Sequence, residues 1–155
     1  MSDGARIVWG ALVAVAVYFV GQLLSKFFIE PVHELRKSVG EVRFNLAFHA
    51  PTIHTPAART KERSEAARVA LLGNSSDLVS KLHAVPAYKL ARFLAFGALP
   101  PTASVERAAV QLRGLATYMH EGGDEASASI SQINSRVASI MKLLRLKHLE
   151  GENDA

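Results

Sequence analysis

A chain of 155 residues and 16.7 kDa has room for one domain of ordinary size. With 49% hydrophobic and only 21% charged residues, and a mean hydropathy of +0.13, it lacks the polar, highly charged make-up of a disordered chain. The absence of cysteine excludes a disulfide scaffold, a thiolate zinc site, an iron–sulfur centre and a cysteine nucleophile.

Residues 1–6 read as a short N-terminal tail. Residues 7–24, IVWGALVAVAVYFVGQLL, then carry no charge and one strongly polar side chain, Gln22. Extended to residue 29, the segment makes about 35 Å of helix, enough for a bilayer core of about 30 Å. A transmembrane helix over residues 7–29 is expected. Trp9 and Tyr18 are interfacial candidates, and Lys26 can extend its amine outward. Gly10 and Ala14 form a small-x3-small pattern, with Gly21 further along, that lets apolar helices pack closely. A cleaved signal peptide needs a basic N-terminal region and a small-residue cleavage site; Asp3 sits beside Arg6, and no such site follows the apolar run. A charge-free run on every face also argues against a buried core helix.

Lys26, Arg36, Lys37 and Arg43 flank the C-terminal side of the segment, whereas Arg6 is opposed by Asp3 on the other. The positive-inside rule therefore expects the N-terminus outside and the long C-terminal part in the cytoplasm.

Residues 30–149 read as a cytoplasmic bundle of four to five helices, followed by an acidic tail at 150–155. Pro31 suits the first turn of a new helix or kinks a continuous one. Val32, Leu35, Val39, Val42, Leu46 and His49 make a heptad-like stripe. Residues 51–56, PTIHTP, read as a loop. A helix over residues 57–84 presents Val69, Leu72, Ser76, Val79 and Leu82 on one side, with a bend or break expected at Gly73-Asn74. Residues 86–99 are apolar with Lys89 and Arg92, and suit either the membrane surface or the bundle core. Thr102 or Ser104 can cap the next helix, whose stripe is Val105, Ala109, Leu112, Ala116 and Met119. A last helix over residues 125–149 carries Ile130, Ile133, Val137, Ile140 and Leu144. No segment reads as a strand, so the fold class is all-α.

The chain has a net charge of +4, and residues 30–149 carry +6. Anionic lipid at the cytoplasmic face is the expected partner. Nucleic acid is not expected, because the cations are dispersed and no recognition motif is present. No histidine cluster has metal-ligand spacing, no phosphate loop or nucleophile elbow occurs, and no cofactor is expected. Arginine and histidine separated by four to six residues occur twice, at Arg43/His49 and Arg113/His120. In a chain with 11 arginines and 6 histidines, two such pairs are close to what chance supplies.

The stretches FFIEPVHELRKSVGEVRFNLAFHAP, ALLGNSSDLVSKLHAVPAYKLARFLAFGALP and ASVERAAVQLRGLATYMHEG resemble a group of small uncharacterised bacterial single-pass membrane proteins. That resemblance implies an inner-membrane location and brings no activity with it. The layout also resembles the membrane accessory protein of type VI-B CRISPR systems, in which a transmembrane helix precedes a HEPN-like bundle. This likeness implies an oligomeric defence effector or pore, with Arg43/His49 or Arg113/His120 as the candidate RNase residues. The leading expectation is a non-enzymatic membrane-anchored protein acting by binding or assembly, with a homo-oligomer as one outcome. The two heptad stripes and the small-residue face of the span are its expected contacts.

Overall fold

The computed structural model describes residues 3–55, 59–94, 97, 99–120 and 125–146. Helices α1 (Asp3–Leu24), α2 (Glu30–Phe48), α3 (Ala50–His54), α4 (Lys61–Ala84), α5 (Tyr88–Leu94), α6 (Thr102–Thr117) and α7 (Glu125–Leu143) follow in order, and no strand occurs among the described residues. Helix begins at Asp3, so part of the expected N-terminal tail belongs to α1.

The helix does not end at Pro31. A π-helical turn, Ser25–Ile29, joins α1 to α2, giving one uninterrupted helical run from Arg6 to Phe48 of 43 residues. Proline lacks an N–H and its ring crowds the carbonyl four residues back, here that of Phe27. Widening the preceding turn relieves that crowding, and the Glu30 N–H donates to the Ser25 carbonyl in the π register. The apolar window in this run is long enough to cross a bilayer, and none of it is buried.

The remaining helices form an up-down-up-down bundle. Four side-chain contacts join neighbouring helices. Lys81 Nζ lies 3.6 Å from Glu34 Oε2 and Asn45 Nδ2 donates to Asn74 Oδ1 at 3.1 Å, joining α4 to α2. Ser75 Oγ donates to the Ala109 carbonyl at 2.9 Å, joining α4 to α6. Arg136 Nη1 donates to Gln111 Oε1 at 2.7 Å, joining α7 to α6. Helix α4 therefore lies between α2 and α6.

One core runs through these helices. Leu35, Leu71, Leu78, Leu112, Leu115, Ile133 and Ile140 are all fully buried, each contributing about 1.5–3 kcal/mol. The α2, α6 and α7 stripes lie in this core as their spacing predicts. They are consequently spent inside the molecule and are not free for contacts between copies.

Several expected elements differ. The PTIHTP loop contains α3, because Pro51 at the start of a helix loses no hydrogen bond it would otherwise make. Helix α4 starts at Lys61, where Thr60 Oγ1 accepts from the Arg63 N–H, and it passes Gly73-Asn74 without a break. Its buried face is Ala67, Leu71, Asn74, Ser75, Leu78 and Leu82, about a third of a turn from the expected stripe. Val69 and Ser76 are exposed. A stripe counted from apolar residues misses this face because two of its central members are polar. Pro101, not Thr102 or Ser104, occupies the cap position of α6, with no side-chain cap bond.

Helix α7 stops at Leu143, before the expected residue 149. The Leu146 N–H reaches the Met141 carbonyl at 2.9 Å and the Arg145 N–H reaches Lys142 at 3.2 Å. With Arg145 at φ 56°, this is a Schellman end made without glycine. The acidic tail at 150–155 lies outside the described residues.

Candidate functional site

A large apolar surface is exposed along α1. Ile7, Trp9, Leu12, Val15, Val17 and Phe19 of α1 are each at least 59% exposed, far beyond the scattered apolar residues of an ordinary surface. Gly10, Ala14 and Gly21 fall on one side of α1, at intervals of four and seven residues. No atom of the chain stands where a Cβ on Gly10 or Gly21 would lie. Tyr18 and Gln22 are one turn apart, and Gln22 Nε2 donates to Tyr18 Oη at 3.2 Å, so the most polar side chain of the run has a partner within α1. Trp9 and Lys26 are both exposed, toward opposite ends of the apolar run.

The two arginine–histidine pairs do not converge. Arg43 is on α2 and His49 follows that helix, whereas Arg113 is on α6, with α4 packed between the two helices. Arg43 and His49 are six residues apart, about 120° around a helix, and therefore do not share a face. His49 caps both α2 and α3, and burial holds its imidazole below the usual histidine range. Its ring meets Phe48 edge-on at 5.0 Å, and Phe48 stacks on Phe44 at 5.7 Å. Arg113 borders a shallow cavity of about 360 Å³ with Leu72, Ser75, Ser76, Val79 and Ser80. His120 ends the 3₁₀ turn Tyr118–His120, and its side chain lies outside the described residues.

His54 Nδ1 lies 2.8 Å from Asn134 Oδ1, and His83 Nδ1 lies 2.8 Å from the Val79 carbonyl. Among the described residues, no group of three His, Cys, Asp or Glu side chains has the arrangement to hold a metal ion.

Three polar arrangements escaped the sequence reading. Arg59 donates to the carbonyls of Thr52 (2.9 Å), Ile53 (3.2 Å) and Tyr118 (3.2 Å), tying α3 to the end of α6. Ser38 of α2 and Asn74 and Ser75 of α4 are buried polar side chains, Asn74 accepting from Asn45 and Ser75 donating to the Ala109 carbonyl. Arg136 bonds Gln111, stands 5.5 Å from the centre of the Tyr118 ring, and lies against Gly114; the Tyr118 hydroxyl donates to Gln132. The one available signal was small polar residues inside otherwise apolar helices.

The segment at 86–99 divides between the two readings offered for it. Val85, Ala91 and Leu99 are buried, and the Tyr88 hydroxyl donates to the Pro100 carbonyl at 2.7 Å. Burial, opposed by the charge of Arg92, raises the Tyr88 phenol above its ordinary range. Leu90 and Phe93, by contrast, are 49% and 78% exposed.

No family model, curated protein or solved structure matches this chain.

Proposed function

We propose that this chain is a single-pass membrane protein in which α1 and the π turn cross the bilayer and the bundle works by binding or assembly at the cytoplasmic face of a bacterial inner membrane. The observation that carries this reading is the wholly exposed apolar helix in front of a bundle whose own core is complete. Leaving that surface in water is costly at about 25 cal/mol per Å² of apolar area, and a bilayer removes the cost. The excess of cations after the apolar run supports the inward orientation of the bundle.

Assembly through α1 is the second reading, of an oligomeric membrane effector. It is favoured by the aligned, unoccupied face of Gly10, Ala14 and Gly21.

Alkaline carbonate extraction tests the anchor: the full-length chain is expected in the membrane pellet, and release into the supernatant overturns the reading. The native mass of the protein in lipid nanodiscs then separates the two modes. A discrete oligomer that Gly10→Leu or Ala14→Leu dissolves supports assembly through α1. A monomer supports a tethered binding module.

A further inference from the structure

The antiparallel order fixes which end of the bundle faces the apolar span. Lys81 is level with Glu34, five residues beyond Ile29. Helix α4 continues three more residues to Ala84, about 4.5 Å back toward α1, and so ends near the level of Pro31. Helix α5 follows at once. Arg145 Nη1 donates to the Gly97 carbonyl at 2.8 Å, which brings the end of α7 to the same place. The opposite end holds α3 and the 3₁₀ turn, tied together by Arg59.

The α1 end thus combines two features. Leu90 and Phe93 of α5 are exposed although Ala91 between them is buried. At this end stand Lys89 and Arg92 of α5 and Arg145 after α7, against Glu30, while Lys81 is paired with Glu34. Arg92 is half-buried, and its Nε has no hydrogen-bond partner among the described residues.

We propose that α5 is a lipid-docking element, with Leu90 and Phe93 entering the headgroup layer of an anionic leaflet while Lys89 and Arg92 pair with lipid phosphates. The proposal rests on the reading that α1 spans the bilayer. What commits the patch to lipid is its continuity with the span: a chain that enters the membrane at Ile29 holds α5 within about one helical turn of that level. An amphipathic surface of aromatic, leucine and basic residues is suited to this depth. Each well-placed cation adds about 1 kcal/mol of attraction to an anionic surface.

The chain has no cysteine, so single cysteines can be introduced cleanly. Full-length protein carrying an environment-sensitive fluorophore at Phe93→Cys, Val13→Cys or Glu62→Cys is reconstituted in vesicles of phosphatidylcholine, with and without phosphatidylglycerol. Brominated acyl chains serve as the quencher. The expected result is quenching at position 13 in both mixtures, quenching at 93 that strengthens with phosphatidylglycerol, and none at 62. Lys89→Glu is expected to reduce the docked-to-free ratio at 93 roughly tenfold.

An unquenched position 93, or equal quenching in both mixtures, overturns the proposal while quenching at 13 keeps the anchor. Loss of quenching at 13 overturns the anchor as well. A blue-shifted but unquenched label at 93 means that a second copy covers α5, and this also overturns the proposal.

Discussion

His49 closes one helix and opens the next: its N–H donates to Asn45 at 3.0 Å and its carbonyl accepts from Ile53 at 2.9 Å. Burial holds its imidazole below the ordinary histidine value of 6.5. The unfolded chain therefore takes up a proton more readily than the folded one as the medium is acidified. The stability that His49 contributes is complete above pH 6.5 and falls away as the pH drops through the folded value. The melting temperature of the wild-type chain in a fixed nanodisc is expected to fall more steeply below pH 6.5 than that of His49→Gln. Parallel profiles for the two would remove this role. In the sequence, His49 stood out as the last member of the α2 stripe and by its distance from Arg43. Its place between two helices was not legible, because that depends on α3, which two prolines hid.

At the scale of the helix, the position of the Arg136 side chain between α7 and α6 depends on one missing side chain. A Cβ at Gly114 would overlap the Arg136 guanidinium. Replacing Gly114 by alanine gains about 1 kcal/mol of helix propensity. The displaced arginine would lose its bond to Gln111, worth about 1.5–3 kcal/mol, and its position over Tyr118. Gly114→Ala is thus expected to destabilise the wild type by about 1 kcal/mol, yet to stabilise Arg136→Ala by a similar amount. Equal effects in both backgrounds, measured by chemical denaturation, would show that the glycine does not make room for the arginine. The stripes of α2, α6 and α7 were legible because their buried positions are nearly all apolar. The face of α4 was not. Helix α4 is flanked on both sides, and it spends Asn74 and Ser75 on hydrogen bonds to α2 and α6 instead of on apolar contact.

For the whole molecule, an all-helical chain with one long apolar N-terminal helix could be read directly from composition and periodicity. Whether that helix continues into the bundle was left open at Pro31, which suits a new helix or a kink in a continuous one. Proline ordinarily marks a break, and only the π turn ahead of Pro31 lets the helix pass. Without a loop at the junction, the 43 residues from Arg6 to Phe48 form a rod of about 65 Å. On the proposed topology such a rod acts as a lever. A thinner bilayer makes an over-long span lean, and α2 leans with it, sweeping the Phe48 end sideways by about 5 Å for every 10° over a reach of about 30 Å. Spin-label distances between Val13→Cys and Phe44→Cys should then stay constant across bilayers of different thickness, while the angle of α2 to the membrane normal changes. The bundle would register membrane thickness as orientation.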